Sequence, residues 1–145
     1  MNQTMGEVRE DKRLDRLFEY TKFHIGIYLS AGGGLIVLLG SGDKSDFIQD
    51  LIGSPKALAV ALALMALAGL AGGVIASATT QCRHFEDLWL EPQGPLKRFT
   101  RITGRWWARI EHGAFWASAA LIAYAVLCSP SVRLWLTAPG ARYSS

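Results

Sequence analysis

The sequence predicts an all-α membrane protein with three transmembrane helices, an N-terminal charged cytoplasmic helix and a basic amphipathic cytoplasmic linker. Half of its 145 residues are hydrophobic, only 19% are charged and the mean hydropathy is positive, a balance outside that of ordinary soluble domains. The run 57–78 carries no charge and consists almost entirely of Ala, Leu and Gly. At about 1.5 Å per residue it is long enough to cross a hydrocarbon core of about 30 Å. Lys and Arg, finally, collect in two blocks that flank the apolar runs.

The first block belongs to residues 1–22, read as the charged helix. Glu7, Asp11, Asp15 and Glu19 form an acidic row at i, i+4, and Arg9, Lys12, Arg13 and Arg16 form a basic face about half a turn away. Local pairs such as Lys12 with Asp15 and Arg16 with Glu19 are expected along it. The alternative is that the acidic face of one subunit meets the basic face of the next in a closed ring. No proline interrupts the chain before the first span at 23–40, so charged helix and span are expected to be continuous. Tyr20, Lys22 and His24 suit the interface. Gly26, Ser30 and Gly34 make a small-residue row there, expected to pack closely on the central helix or to serve as a hinge.

An external loop at 41–56 follows, with a short helical turn anticipated around 46–52. Ser54 and Pro55 form an N-cap and first-turn pair that starts the second span, 57–80. Ala61, Gly69, Gly73 and Ser77 lie on one row of this span, suited to helix packing or pore lining. The basic cytoplasmic linker is placed at 81–109. From Leu96 a helical pattern sets Lys97, Arg101, Arg105 and Arg109 at i, i+4 with Arg98 beside them, opposite an apolar stripe of Phe99, Ile102, Trp106 and Ile110. Gly104 is a possible break. The third span is placed at 110–128 and an external tail at 129–145.

Orientation follows from the basic residues of the flanks. Five (Arg9, Lys12, Arg13, Arg16, Lys22) precede the first span and six (Arg83, Lys97, Arg98, Arg101, Arg105, Arg109) separate the second from the third, against four (Lys44, Lys56, Arg133, Arg142) in the loop and tail. The N-terminus is therefore expected inside and the C-terminus outside. Cys82 and Cys128 then lie at opposite faces, too far apart for a disulfide. A retained first span is expected, since a long charged segment precedes it and no small-residue cleavage site follows.

Topology gathers His24, His84, His112, Cys82, Glu86, Asp87 and Glu111 near one membrane face. Their spacing matches no established ligand motif, so no metal or cofactor is expected, and polar interface residues, a metal or haem site, or a proton-sensitive gate stand as the three readings. The central span contains no ionisable side chain, which disfavours ion-coupled transport. Tyr28, Ser30, Ser118 and Tyr124 supply the few polar groups within the spans. The basic stripe Lys97, Arg98, Arg101, Arg105 and Arg109 reads either as an anchor on anionic lipid or, repeated around an oligomer axis, as a site for a phosphate-bearing ligand.

The segment Tyr20-Thr21-Lys22-Phe23-His24-Ile25-Gly26-Ile27-Tyr28, leading from a charged helix into a glycine-rich span, resembles the entry to the first membrane helix of small bacterial transmembrane effectors of nucleotide-signalled antiphage defence systems. That resemblance implies an oligomeric membrane protein that permeabilises the cell in response to a nucleic-acid-like ligand. It carries no residue roles. The expected function is a homo-oligomeric gated pore or ion channel, not an enzyme, controlled by a nucleotide or oligonucleotide at the basic face. The alternative is a non-conducting anchor or accessory subunit, including a histidine-ligated haem subunit.

Overall fold

A computed structural model describes residues 2–41, 52–94 and 101–137, with side chains from Lys12 onward and without that of Trp135. Its elements are α1 (Asn2–Ser41), α2 (Pro55–Thr79), α3 (Phe85–Leu90), α4 (Gly104–Leu127) and α5 (Pro130–Thr137). Helices α1, α2 and α4 are each long and apolar enough to cross a membrane. Their outer surfaces fit lipid and not water, since Leu29, Val37, Leu70 and Trp116 stand about 70% exposed. The charged segment and first span are one unbroken helix. Along its charged half, among the described residues, the ion pair formed is Lys22 with Glu19 at 3.5 Å. The anticipated Lys12–Asp15 and Arg16–Glu19 pairs are not made. Such exposed pairs gain little against the freedom their long side chains lose.

Helix α2 lies in the middle of the layer, with α1 and α4 packed on either side. Two apolar clusters fill the seams. Tyr28, Met65, Ala68 and Ala114 form one, and Leu35, Leu58, Ala61 and Ala125 the other. Ser54 caps α2 by accepting from the Ala57 N–H at 3.4 Å, with Pro55 in the first turn. Within the bundle, the Ser118 hydroxyl donates to the Ala61 carbonyl at 2.8 Å, and both residues are fully buried. This hydrogen bond ties α4 to α2 where no water competes.

The small-residue rows divide differently from the sequence expectation. Within one chain Gly26, Ser30 and Gly34 do not pack on α2; they are exposed, and a Cβ on Gly26 or Gly34 would meet nothing within 4 Å. Ile25, Tyr28, Gly32 and Leu35 face α2 instead, a stripe at alternating three- and four-residue steps. Gly32 is the glycine that admits a neighbour, Leu62 of α2. On α2 itself, Ala61 is buried and Gly69 lies beside Tyr28, whereas Gly73 has open space and Ser77 turns its hydroxyl back to the Val74 carbonyl.

The third spanning helix begins at Gly104, so its first turns include Arg105 and Arg109. The helical pattern expected from Leu96 to Arg109 is thus broken at Gly104, the residue expected to bend or break it. Arg101 precedes the helix in extended chain, and Lys97 and Arg98 lie outside the described residues, as does the anticipated turn at 46–51. The cause is local. The Gln93 N–H donates to the Ile102 carbonyl at 2.9 Å, Pro92 pairs with Thr103, and the Trp107 indole donates to the Gln93 carbonyl at 3.1 Å. Together they hold 101–103 extended until the Leu88 carbonyl passes over Gly104, where a Cβ would collide with it. Gly94, at φ +95°, makes the preceding turn that L-residues resist. Below them Leu88 is sealed with Leu14 and Ala78.

Gly104→Ala is therefore expected to destabilise the bundle by about 1–3 kcal/mol, whereas Gly26→Ala leaves stability within about 0.5 kcal/mol. Reversible unfolding in mixed detergent micelles measures both, and equal effects would overturn the assignment of faces.

Candidate functional site

Three positions on three helices lie at one depth. Tyr28 is six residues past Lys22, Gly72 seven before the end of α2, and Glu111 seven past the start of α4, which places each roughly 9–10 Å inside the charged end of the bundle. Helices α1 and α4 share few backbone contacts of their own, since α2 separates them. Glycine at 72 removes the obstacle. A Cβ there would stand 3.2 Å from Ile25 Cγ1 and 3.4 Å from Glu111 Oε1, so the missing side chain leaves room for the Glu111 carboxyl to cross the face of α2.

Across that gap the Tyr28 hydroxyl donates to Glu111 Oε1 at 3.0 Å, with both residues 2% exposed. Phe115 packs on the Tyr28 ring, centroid to centroid 5.4 Å. A carboxyl group this deep in an apolar bundle has no water to turn to, and the tyrosine hydroxyl meets that need. Among the described residues no buried side-chain nitrogen or oxygen is left without a partner.

Next to the buried pair lie two histidines, one from each outer helix. The His24 and His112 rings are 6.3 Å apart, and His24 is 6.1 Å from Tyr28 and 4.0 Å from Tyr20. His24 is half-buried and His112 exposed. The layer expected from the sequence therefore resolves into two groups. His24, Tyr28, Glu111 and His112 form one, between α1 and α4.

The second group lies around α3. The His84 N–H donates to Asp87 Oδ2 at 3.2 Å at the start of that helix, and the Gln93 amide reaches the Asp87 carbonyl at 3.3 Å and the Cys82 sulfur at 3.7 Å. Burial, then the nearby carboxylates of Asp87 and Glu91, push the Cys82 thiol above its ordinary range. Among the described residues no three His, Cys, Asp or Glu side chains converge on a common point. Cys82 and Cys128 are both free thiols.

Of the anticipated anionic-ligand residues, Lys97 and Arg98 lie outside the described residues. Arg101, Arg105 and Arg109 are exposed, and the Arg109 guanidinium stacks over Trp106 at 4.8 Å. Of the polar groups anticipated within the spans, Tyr28 and Ser118 are buried and bonded, whereas Ser30 and Tyr124 face outward. Pairing Tyr28 with Glu111, 83 residues apart, was invisible in the sequence. A glutamate one residue before a histidine, just inside an apolar run, was the available signal. Comparison with known protein families, curated proteins and solved structures gives no match, so the site is read from its own chemistry.

Tyr28→Phe is expected to cost about 1–3 kcal/mol, because it leaves a buried carboxyl unsatisfied. Combining it with Glu111→Leu should cost less than the two changes summed, as expected for one shared interaction. Additive losses in a double-mutant cycle would show that the two side chains act independently. For Cys82, a raised thiol pKa lowers the reactive thiolate fraction. Its alkylation at pH 8 should be several-fold slower than that of an unstructured peptide thiol, and the difference should vanish in denaturant.

Proposed function

We propose that the chain is one subunit of a homo-oligomeric gated pore in the bacterial inner membrane, with the N-terminus cytoplasmic and the C-terminus external. The observation that carries this reading is the open glycine face of α1. Among the described residues Gly26, Ser30 and Gly34 are exposed, with open space beside both glycines, and exposed small residues at four-residue spacing are the surface on which membrane helices approach each other closely. Gly73 and Ser77 extend such a surface onto α2. Among the described residues, two apolar clusters pack the seams of the single chain. Conduction therefore requires several copies, with the path running between chains.

Control belongs to the charged end in this reading. Arg101, Arg105 and Arg109 are solvent-facing in each subunit, and repetition about an axis turns a modest local charge into a focused positive field that attracts a nucleotide or oligonucleotide. Such an assembly would match the membrane effectors that the first span resembles. The acidic and basic faces of the charged helix supply a second, heterologous contact between neighbours.

Native mass measurement in nanodiscs is expected to give an oligomer, reduced to a monomer by Gly26→Leu with Gly34→Leu. Ion flux from liposomes should be lost in the same variant. Arg101→Glu with Arg105→Glu should abolish the response to an added oligonucleotide without altering insertion or oligomer mass. A monomeric native protein, or no flux with or without anionic ligands, would overturn the proposal.

A further inference from the structure

The buried Tyr28–Glu111 hydrogen bond accounts for two members of the inter-helix cluster and leaves the two imidazoles unexplained. His24 Nδ1 lies 2.8 Å from the Tyr20 carbonyl, and His112 Nδ1 lies 2.9 Å from the Ala108 carbonyl. A carbonyl oxygen only accepts, so each Nδ1 must carry the hydrogen. In the neutral ring, Nε2 then keeps its lone pair. Metal-ligating histidines are commonly held in this way, with the second nitrogen donating to a carbonyl that fixes tautomer and ring orientation.

The separation of the rings selects among metals. With a metal–nitrogen distance of about 2.0 Å and each nitrogen about 1.1 Å from its ring centre, two imidazoles on opposite sides of one ion place their centroids roughly 6.2 Å apart. At a tetrahedral angle the same arithmetic gives roughly 5.1 Å. The observed 6.3 Å matches the linear arrangement.

Ligand count narrows the choice further. No third His, Cys, Asp or Glu among the described residues joins the pair, which leaves zinc short of its usual four ligands. Haem iron brings its own equatorial nitrogens but needs a slot for the macrocycle. Here the Tyr20 ring stands 4.0 Å from His24, and the Tyr28 ring, bonded to Glu111 and packed on Phe115, stands 6.1 Å from it, so aromatic side chains crowd the pair where a macrocycle would have to lie. A soft monovalent ion that accepts two neutral nitrogens in a line requires neither. We propose that His24 and His112 form a two-coordinate copper(I) site that links α1 to α4 on the accessible flank of the bundle. The site is complete within one chain and does not depend on the pore reading.

Full-length protein carrying Cys82→Ser and Cys128→Ser, which removes competing thiolates, is titrated in nanodiscs with copper(I) against a chromophoric copper(I) chelator. One ion per chain is expected, with affinity lowered at least about tenfold by either His24→Ala or His112→Ala. X-ray absorption of the unmutated site should show two nitrogen neighbours and no sulfur, a readout that stands even where an alanine variant fails to fold. Full affinity in either single variant, a three- or four-coordinate spectrum, or tighter binding of zinc would overturn the proposal. So would a Soret band on adding haem that either alanine change removes.

Discussion

The hydrogen bond from Tyr28 to Glu111 is the constraint around which the rest of this bundle is arranged. An apolar environment offers a carboxyl group no solvent, so its partner has to come from another helix, and α2 stands between the two that supply them. The solution fixes three residues at once. Position 72 must lack a side chain, Tyr28 must face α2 and not lipid, and α4 must begin early enough to bring Glu111 to that depth. Once α1 is turned to point Tyr28 inward, its glycine row at 26 and 34 necessarily faces out.

What could be read from the sequence follows from the range of the interactions involved. The three apolar helices, the continuity of α1 and the Ser54–Pro55 start of α2 depend on composition and on contacts a few residues apart, and the structure has all of them. Facing was different. With glycine at 26, 32, 33 and 34, α1 offers two small-residue faces, and the sequence alone favoured the one with regular four-residue spacing. The aromatic ring of Tyr28 and its distant partner decided for the other, and that decision depends on the rotational phase of three helices together.

The basic stripe illustrates a second limit. Read as a helix from Leu96, it aligned four cations at perfect spacing. The pairing of residues 92–93 with 102–103 and the close passage of the Leu88 carbonyl over Gly104 delay the helix until that glycine. These are contacts between a short helix and a turn, with no periodic trace. A helix that starts at Gly104 carries the Glu111 carboxyl about two turns inside, where it meets Tyr28.

Helix α1 runs without a break from Asn2 to Ser41, a rod of roughly 60 Å. Leu14, Tyr28 and Leu35 each pack on the neighbouring helices, so the rod is held along a stretch of roughly 30 Å and cannot pivot about any one of them. Charged and apolar segments therefore move together as one stiff body, and a displacement of the charged tip is carried into the apolar half without a hinge.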